Sequence, residues 1–177
     1  KEMFDCITRT LGDLSIIAED LGIITDSVKE LKEHSKFPGM KVLQFAFDGN
    51  SNNPYLPANY EENCVAYTGT HDNDTLNGWL NKLNDDKKNY VVKNLNIDDV
   101  KNINYSIINA LYNSGARICI IPLQDFLCIG SEGRINTPST LGNNWTWRVD
   151  KEMLTNKLAE KIRDMVVNSN RYNIFKK

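Results

Sequence analysis

Four apolar runs of strand length, Leu14 to Ala18, Lys41 to Phe47, Cys64 to Thr68 and Arg117 to Leu123, alternate with stretches whose apolar positions follow helical spacing. A leading helix is predicted over Glu2 to Thr10. After the first run, Ser27-Val28-Lys29-Glu30 has the form of a capping box, in which a hydroxyl and a carboxylate satisfy backbone donors at a helix start. Leu76, Trp79, Leu80 and Leu83 mark a helix starting near Thr75, with Asn73 and Asp74 as its expected caps. Val100, Ile103, Ile107, Ile108 and Leu111 mark another, with Gly115 as its terminator. Leu154, Leu158, Ile162, Met165 and Val166 mark a closing one. Each strand is expected to lead through polar residues into a helix, an order that implies a parallel sheet with right-handed crossovers. The polar, turn-rich segment from Gly49 to Asn63 reads as a surface loop at the strand-end side. No repeat or flexible linker divides the chain, so residues 1–177 read as one unit.

Two of the runs stop at acids: Ile16-Ile17-Ala18 at Glu19-Asp20-Leu21-Gly22, and Val65-Ala66-Tyr67-Thr68 at Gly69-Thr70-His71-Asp72-Asn73-Asp74. An unpaired carboxylate near a core is costly, so repeated acids at strand ends point to a cleft, and carboxylates gathered there are how a barrel builds sugar chemistry. Asp20 supplies a second negative charge beside Glu19 that could raise the pKa of the more desolvated carboxyl, as a general acid requires. His71 and Asp72 can both bind sugar hydroxyls, and a fixed carboxylate can stabilise positive charge at an anomeric carbon. A metal site of His-Asp type is the competing chemistry, but the other histidine, His34, lies toward the end of a helix, so no metal is expected. Asp48 stands at the exit of the second run before Gly49, an ordinary place for a turn. Gln124 and Asp125 could line the same mouth, with Asp125 read as structural. Asn136 can offer an amide to a hydroxyl. Trp145 and Trp147 would point oppositely if extended, so at most one faces a ligand, and packing of the last helix is the plainer role.

The motifs Ile17-Ala18-Glu19-Asp20-Leu21-Gly22, Leu43 to Gly49, Tyr67 to Thr75, Pro122-Leu123-Gln124-Asp125 and Gly133 to Pro138, followed by Asn144-Trp145-Thr146-Trp147-Arg148, resemble in this order those of the 4-alpha-glucanotransferases, also called amylomaltases or disproportionating enzymes. The resemblance implies an α/β fold, specifically the C-terminal half, about strands five to eight, of a TIM-type (β/α)8 barrel. It places the general acid/base on Glu19 and the transition-state stabiliser on Asp72, and makes Asp20, Asp48, His71 and Asn136 substrate-binding. The implied reaction moves a 1,4-linked alpha-glucan segment to a glucan or glucose by retaining double displacement, with no cofactor.

Length changes the picture. A whole barrel needs about 250 residues, and this chain has 177. Retaining transfer needs two carboxyl groups about 5 to 5.5 Å apart. The family's nucleophilic aspartate, in an Arg-x-Asp-His type motif on the preceding strand, has no match before Glu19: Asp5 falls in the leading helix and Asp13 at the start of a strand. The chain is therefore expected to be part of a larger enzyme, inactive alone, with the N-terminal half of the barrel as its partner. A noncatalytic alpha-glucan-binding or assembly module, and a related alpha-glucan hydrolase, are the alternatives. A formal charge of −2 with interspersed signs gives no pull toward nucleic acid or anionic lipid, and no apolar run approaches the ~20 residues of a membrane span. Four well-separated cysteines fit reduced thiols and a cytoplasmic setting.

Overall fold

A computed structural model describes residues 1–12 and 14–172. Three short parallel strands, β1 (Gly39–Val42), β2 (Cys64–Tyr67) and β3 (Ile118–Ile120), form a sheet in the order β1-β2-β3. Around it stand α1 (Glu2–Leu11), α2 (Asp26–Ser35), α3 (Leu76–Lys82), α4 (Asp85–Asn94), α5 (Ile103–Tyr112), the short α6 (Leu123–Phe126) and α7 (Asn156–Asn168). The expected α/β order is present, and its boundaries shift for local reasons.

The first apolar run makes no strand. Among the described residues its only ladder contact is a single parallel bridge from Ala18 to Gly39, which sets it beside β1. The Ile16 N–H turns back onto the Leu14 carbonyl at 3.0 Å, and the side chains of Leu14 and Ile17 stay exposed, so the run lacks the second neighbour that would draw it into a ladder. Asp13, expected at its start, lies outside the described residues. The second run gives only β1, because Leu43–Phe45 winds into a 3-10 turn that buries Leu43 and presents the Phe45 carbonyl to the Asn53 amide at 2.9 Å. Asp48 is thus six positions beyond its strand rather than at its end. Its turn needs Gly49, which adopts a φ of +94°. The third run loses only Thr68. The fourth stops at Ile120, since Pro122 has no N–H for a ladder and instead caps α6.

The helices show the same pattern. Thr25, not Ser27, is the N-cap of α2, and no side chain caps its backbone: the Ser27 hydroxyl pairs with the Thr25 hydroxyl at 2.9 Å, so the capping box is not formed. Thr75 caps α3 by accepting the Gly78 N–H at 3.0 Å, displacing Asn73 and Asp74 from that task. Helix α4, unannounced by apolar spacing, starts where the Asn84 side chain accepts from the Lys87 N–H at 2.9 Å, with Asp85 and Asp86 favourably placed at the positive end of its dipole. Helix α5 ends at Tyr112, short of Gly115, and α7 begins after Leu154, with the Thr155 hydroxyl as its cap. The β1-to-β2 connection holds two 3-10 turns, Leu43–Phe45 and Pro57–Asn59, where a crossover helix was expected.

Alternation along the strands separates two faces. Cys64 and Ala66 of β2 and Cys119 of β3 face the helices and join a core with Leu43, Leu76, Val91, Ile107, Ile108 and Leu111, all six of the latter fully buried. Each such aliphatic side chain contributes roughly 1.5–3 kcal/mol by leaving water, so this layer carries the stability. The register sets Met40, Val65 and Ile118 in one row and Val42, Tyr67 and Ile120 in the next on the opposite face. Ile118 and Ile120 remain 43% exposed on that face. Among the described residues the outer edge of β3 pairs with nothing.

Candidate active site

All strand ends open toward one cleft of about 1050 Å³. Met40, Tyr67 and Ile120 from the strands, with Phe45 and Tyr55, provide its apolar and aromatic lining, while Glu19, His71 and Asp72 provide polar chemistry. Glu19 and Asp72, separated by 53 positions in sequence, thus share a single cavity because the parallel Ala18–Gly39 bridge aligns the segment before Glu19 with β1, so that it and β2 open to the same side of the sheet.

Hydrogen bonds fix the loop after β2 tightly. Asn73 Oδ1 accepts from the Thr70 N–H and hydroxyl, both at 2.9 Å, and the Asn73 N–H donates to the Thr70 carbonyl at 3.1 Å. This turn throws His71 and Asp72 outward, where both are exposed to the cleft. Behind it, Asp74 is buried, with its carboxylate accepting from Lys82 Nζ at 2.5 Å and the Ser131 hydroxyl at 2.7 Å. Burial would raise the Asp74 pKa, but the bonds from Lys82 and Ser131 prevail and hold it below the usual carboxylate value. Asp125, also buried, accepts from the Thr68 hydroxyl at 2.5 Å and the Leu76 N–H at 2.7 Å, joining β2 to the start of α3. For this carboxyl burial prevails, and its pKa is raised. The structural reading of Asp125 agrees with that geometry.

A second loop completes the Asp72 side. Asn136 Nδ2 donates to Asp72 Oδ1 at 2.5 Å, His71 Nε2 lies 3.3 Å from the same oxygen, and Arg134 Nη2 donates to the Asp72 carbonyl at 2.7 Å. The Asn136 N–H also bonds to the His71 carbonyl at 3.1 Å. The Trp145 ring lies against His71, with centroids 5.1 Å apart, rather than under the closing helix. Arg134 is a residue that reasoning from the sequence passed over. Its signal was its place two positions before Asn136, within the same motif.

The structure does not bring all expected residues to the cleft: Asn136 is bonded to Asp72 but is itself outside the lining. Asp48 is exposed on its loop, where it accepts the Asn50 N–H at 2.9 Å, and it is absent from the cleft lining. Bonds from Asn50 and Asn53 lower its pKa. Asp20 turns away from the cleft: Oδ1 accepts the Met40 N–H at 2.6 Å and Oδ2 pairs with Lys32 Nζ at 3.0 Å. His34 bonds Asp5 at 2.6 Å between α2 and α1, remote from the cleft lining.

A parallel α/β sheet with acids and aromatics lining a cleft at its strand ends defines the class of α/β chains that bind ligands at the carboxyl side of the sheet. The family model of the 4-alpha-glucanotransferases, glycoside hydrolase family 77, matches residues 1–155. The chain therefore belongs to the 4-alpha-glucanotransferase family. It is 48% identical over 162 residues to a 4-alpha-glucanotransferase of Clostridium butyricum, covering 91% of this chain and 33% of that protein. It is 45% identical over 169 residues to the chloroplastic/amyloplastic 4-alpha-glucanotransferase of Arabidopsis thaliana, covering 94% of this chain and 29% of that one. Among solved structures, an amylomaltase from Streptococcus agalactiae in complex with acarbose superposes with a TM-score of 0.93 at 38% identity, covering 97% of this chain and 35% of the other. The chain spans about a third of the length of the curated relatives it matches. No helix among the described residues is long and apolar enough to cross a membrane.

Proposed function

We propose that the chain is the C-terminal half, about strands five to eight, of the catalytic barrel of a 4-alpha-glucanotransferase, and that in the full-length enzyme it supplies the proton donor and the charge stabiliser for transfer of a 1,4-linked alpha-glucan segment. The observation that carries the reading is the shared cleft of Glu19 and Asp72 at the strand ends of a family member. In the first step an upstream carboxylate bonds to the anomeric carbon as the glycosidic bond breaks. The bond pair passes to the leaving oxygen, which takes the Glu19 proton. Asp72, oriented by Asn136, stabilises the positive charge that develops at the sugar. In the second step the acceptor hydroxyl gives its proton to the Glu19 carboxylate and its oxygen displaces the enzyme's carboxylate, so the anomeric configuration is retained. His71 and Asn136 bind sugar hydroxyls, and Trp145 backs His71.

The unpaired edge of β3 with its exposed Ile118 and Ile120 supports the N-terminal half of the barrel as the partner that closes the sheet. The four free cysteines fit action in a reducing compartment such as the cytoplasm. Incubation with maltotriose tests the reading: the full-length enzyme should form glucose and longer oligomers, and the 177-residue chain alone should form neither. Disproportionation by the purified chain would refute it.

A further inference from the structure

We infer that Asp20, held by the Met40 N–H and by Lys32, which is itself anchored on Glu61, is a positioning residue for the proton donor Glu19 and does not touch sugar. The inference deepens the proposed function and rests on its assignment of Glu19. Because the run before Glu19 forms no strand, few contacts tie this segment to the sheet. On one side the Ala18 N–H donates to the Pro38 carbonyl at 2.9 Å. On the other, Asp20 Oδ1 accepts the Met40 N–H at 2.6 Å. Glu19 lies between these two attachments to β1 and the residue before it, so the direction of its side chain depends on both.

Asp20 is itself anchored. Its side chain is 12% exposed, and a carboxylate so placed requires a countercharge. Lys32 of α2 supplies it at 3.0 Å and reaches Glu61 Oε1 at 2.7 Å, tying the segment to α2 and to the loop before β2. Burial would lower the Lys32 pKa, but the bonds to Glu61 and Asp20 outweigh it and hold the ammonium charged. The sheet leaves room for this arrangement only because residue 39 is glycine. A Cβ there would lie 2.7 Å from the Asp20 carboxyl carbon and 2.7 Å from Lys32 Nζ. Asp20, Lys32, Lys41 and Glu61 together line a second groove, which meets the cleft that holds Glu19 only at Met40 and Tyr55.

A mispositioned acid has a signature that general loss of structure lacks. Cleavage of maltotriose to a maltosyl-enzyme requires a proton on the departing glucose oxygen, whereas α-maltosyl fluoride yields the same maltosyl-enzyme with the electron pair leaving on fluoride ion, which needs none. In the full-length enzyme, Lys32→Met and Gly39→Ala should slow first-turnover release of glucose ~10–100-fold, the scale on which displacement of a catalytic group acts. The half-saturating maltotriose concentration should stay near wild type, fluoride release should hold within ~3-fold, and Lys32→Arg should recover most of the glucose rate. Equal slowing with both donors, or an unchanged glucose rate, would overturn the positioning role. Glu19→Gln run in parallel separates the two claims. If it loses glucose release and keeps fluoride release while Lys32→Met does not, the positioning inference fails alone. If Glu19→Gln retains glucose release, the proposed proton donor fails first.

Discussion

In both acidic clusters, after Ala18 and after β2, the neighbouring carboxylates have divided their environments. Glu19 and Asp72 are exposed and line the cleft, while Asp20 beside the first and Asp74 two positions beyond the second turn inward onto lysines and backbone or hydroxyl donors. A run of acids therefore does not add up to a pool of charge in the site. One member of each pair opens onto the cleft, and the other is bonded within the segment that carries it. The distinction is energetic: an exposed carboxylate loses little when replaced, whereas removing one partner of a buried charged pair leaves the other uncompensated.

Breaking the outward pair should have the largest catalytic effect. In the full-length enzyme, Glu19→Gln should lower kcat for maltotriose by ~10²–10⁴-fold, the range of general acid–base catalysis. Asp72→Asn should lower it by ~10²–10³-fold, as for loss of an electrostatic stabiliser. Thermal melting should show both variants within a degree or two of wild type. Near-native turnover in either would return that residue to the merely exposed.

The inward pair should respond in the opposite sense. Asp74→Ala removes the acceptor shared by Lys82 and Ser131 and should cost about 1–3 kcal/mol in denaturant unfolding. Its acid dependence has a defined sign. Because the folded-state pKa of Asp74 is lowered, its stabilising contribution is present above the ordinary carboxylate pKa and is lost as pH falls through the lowered value. Asp125, raised by burial, acts oppositely, since the folded state holds its proton more tightly and that contribution weakens as pH rises. Melting temperature against pH should therefore flatten on the acid side in Asp74→Asn. In Asp125→Asn the rise in stability from acid toward neutral pH should steepen. Trp145→Ala should have the smallest effect, raising KM several-fold with kcat nearly kept, in line with the ~0.5–1.5 kcal/mol of an aromatic contact.

How much of this was legible in the sequence follows the reach of the forces involved. The strand centred on Val65 and Ala66 was visible because it is buried on both faces and reads as a continuous apolar run. The run at Ile16 and Ile17 reads the same way, yet forming a ladder depends on neighbours, and among the described residues only Gly39 bridges it. Helix α4 was missed because its start rests on the Asn84 cap and two acids rather than on an apolar stripe. Glu19, His71 and Asp72 were legible as cleft residues because acids and a histidine closing an apolar run are costly to place against a core. Asp20 and Asp48 were grouped with them because sequence adjacency does not disclose which way a side chain turns. That choice was made by Lys32, twelve positions on, and by the Asn50 N–H in a local turn.

The most direct test of the divided acids is a crystal structure of the full-length Glu19→Gln enzyme with a bound maltooligosaccharide. The account predicts a glycosidic oxygen within ~2.6–3.2 Å of the side chain at position 19, with the Asp72 carboxylate beside the adjoining anomeric carbon. Asp20 should still be bonded to the Met40 N–H and Lys32 and should make no contact with sugar. A sugar chain that bypasses position 19, or that is held directly by Asp20, would contradict it.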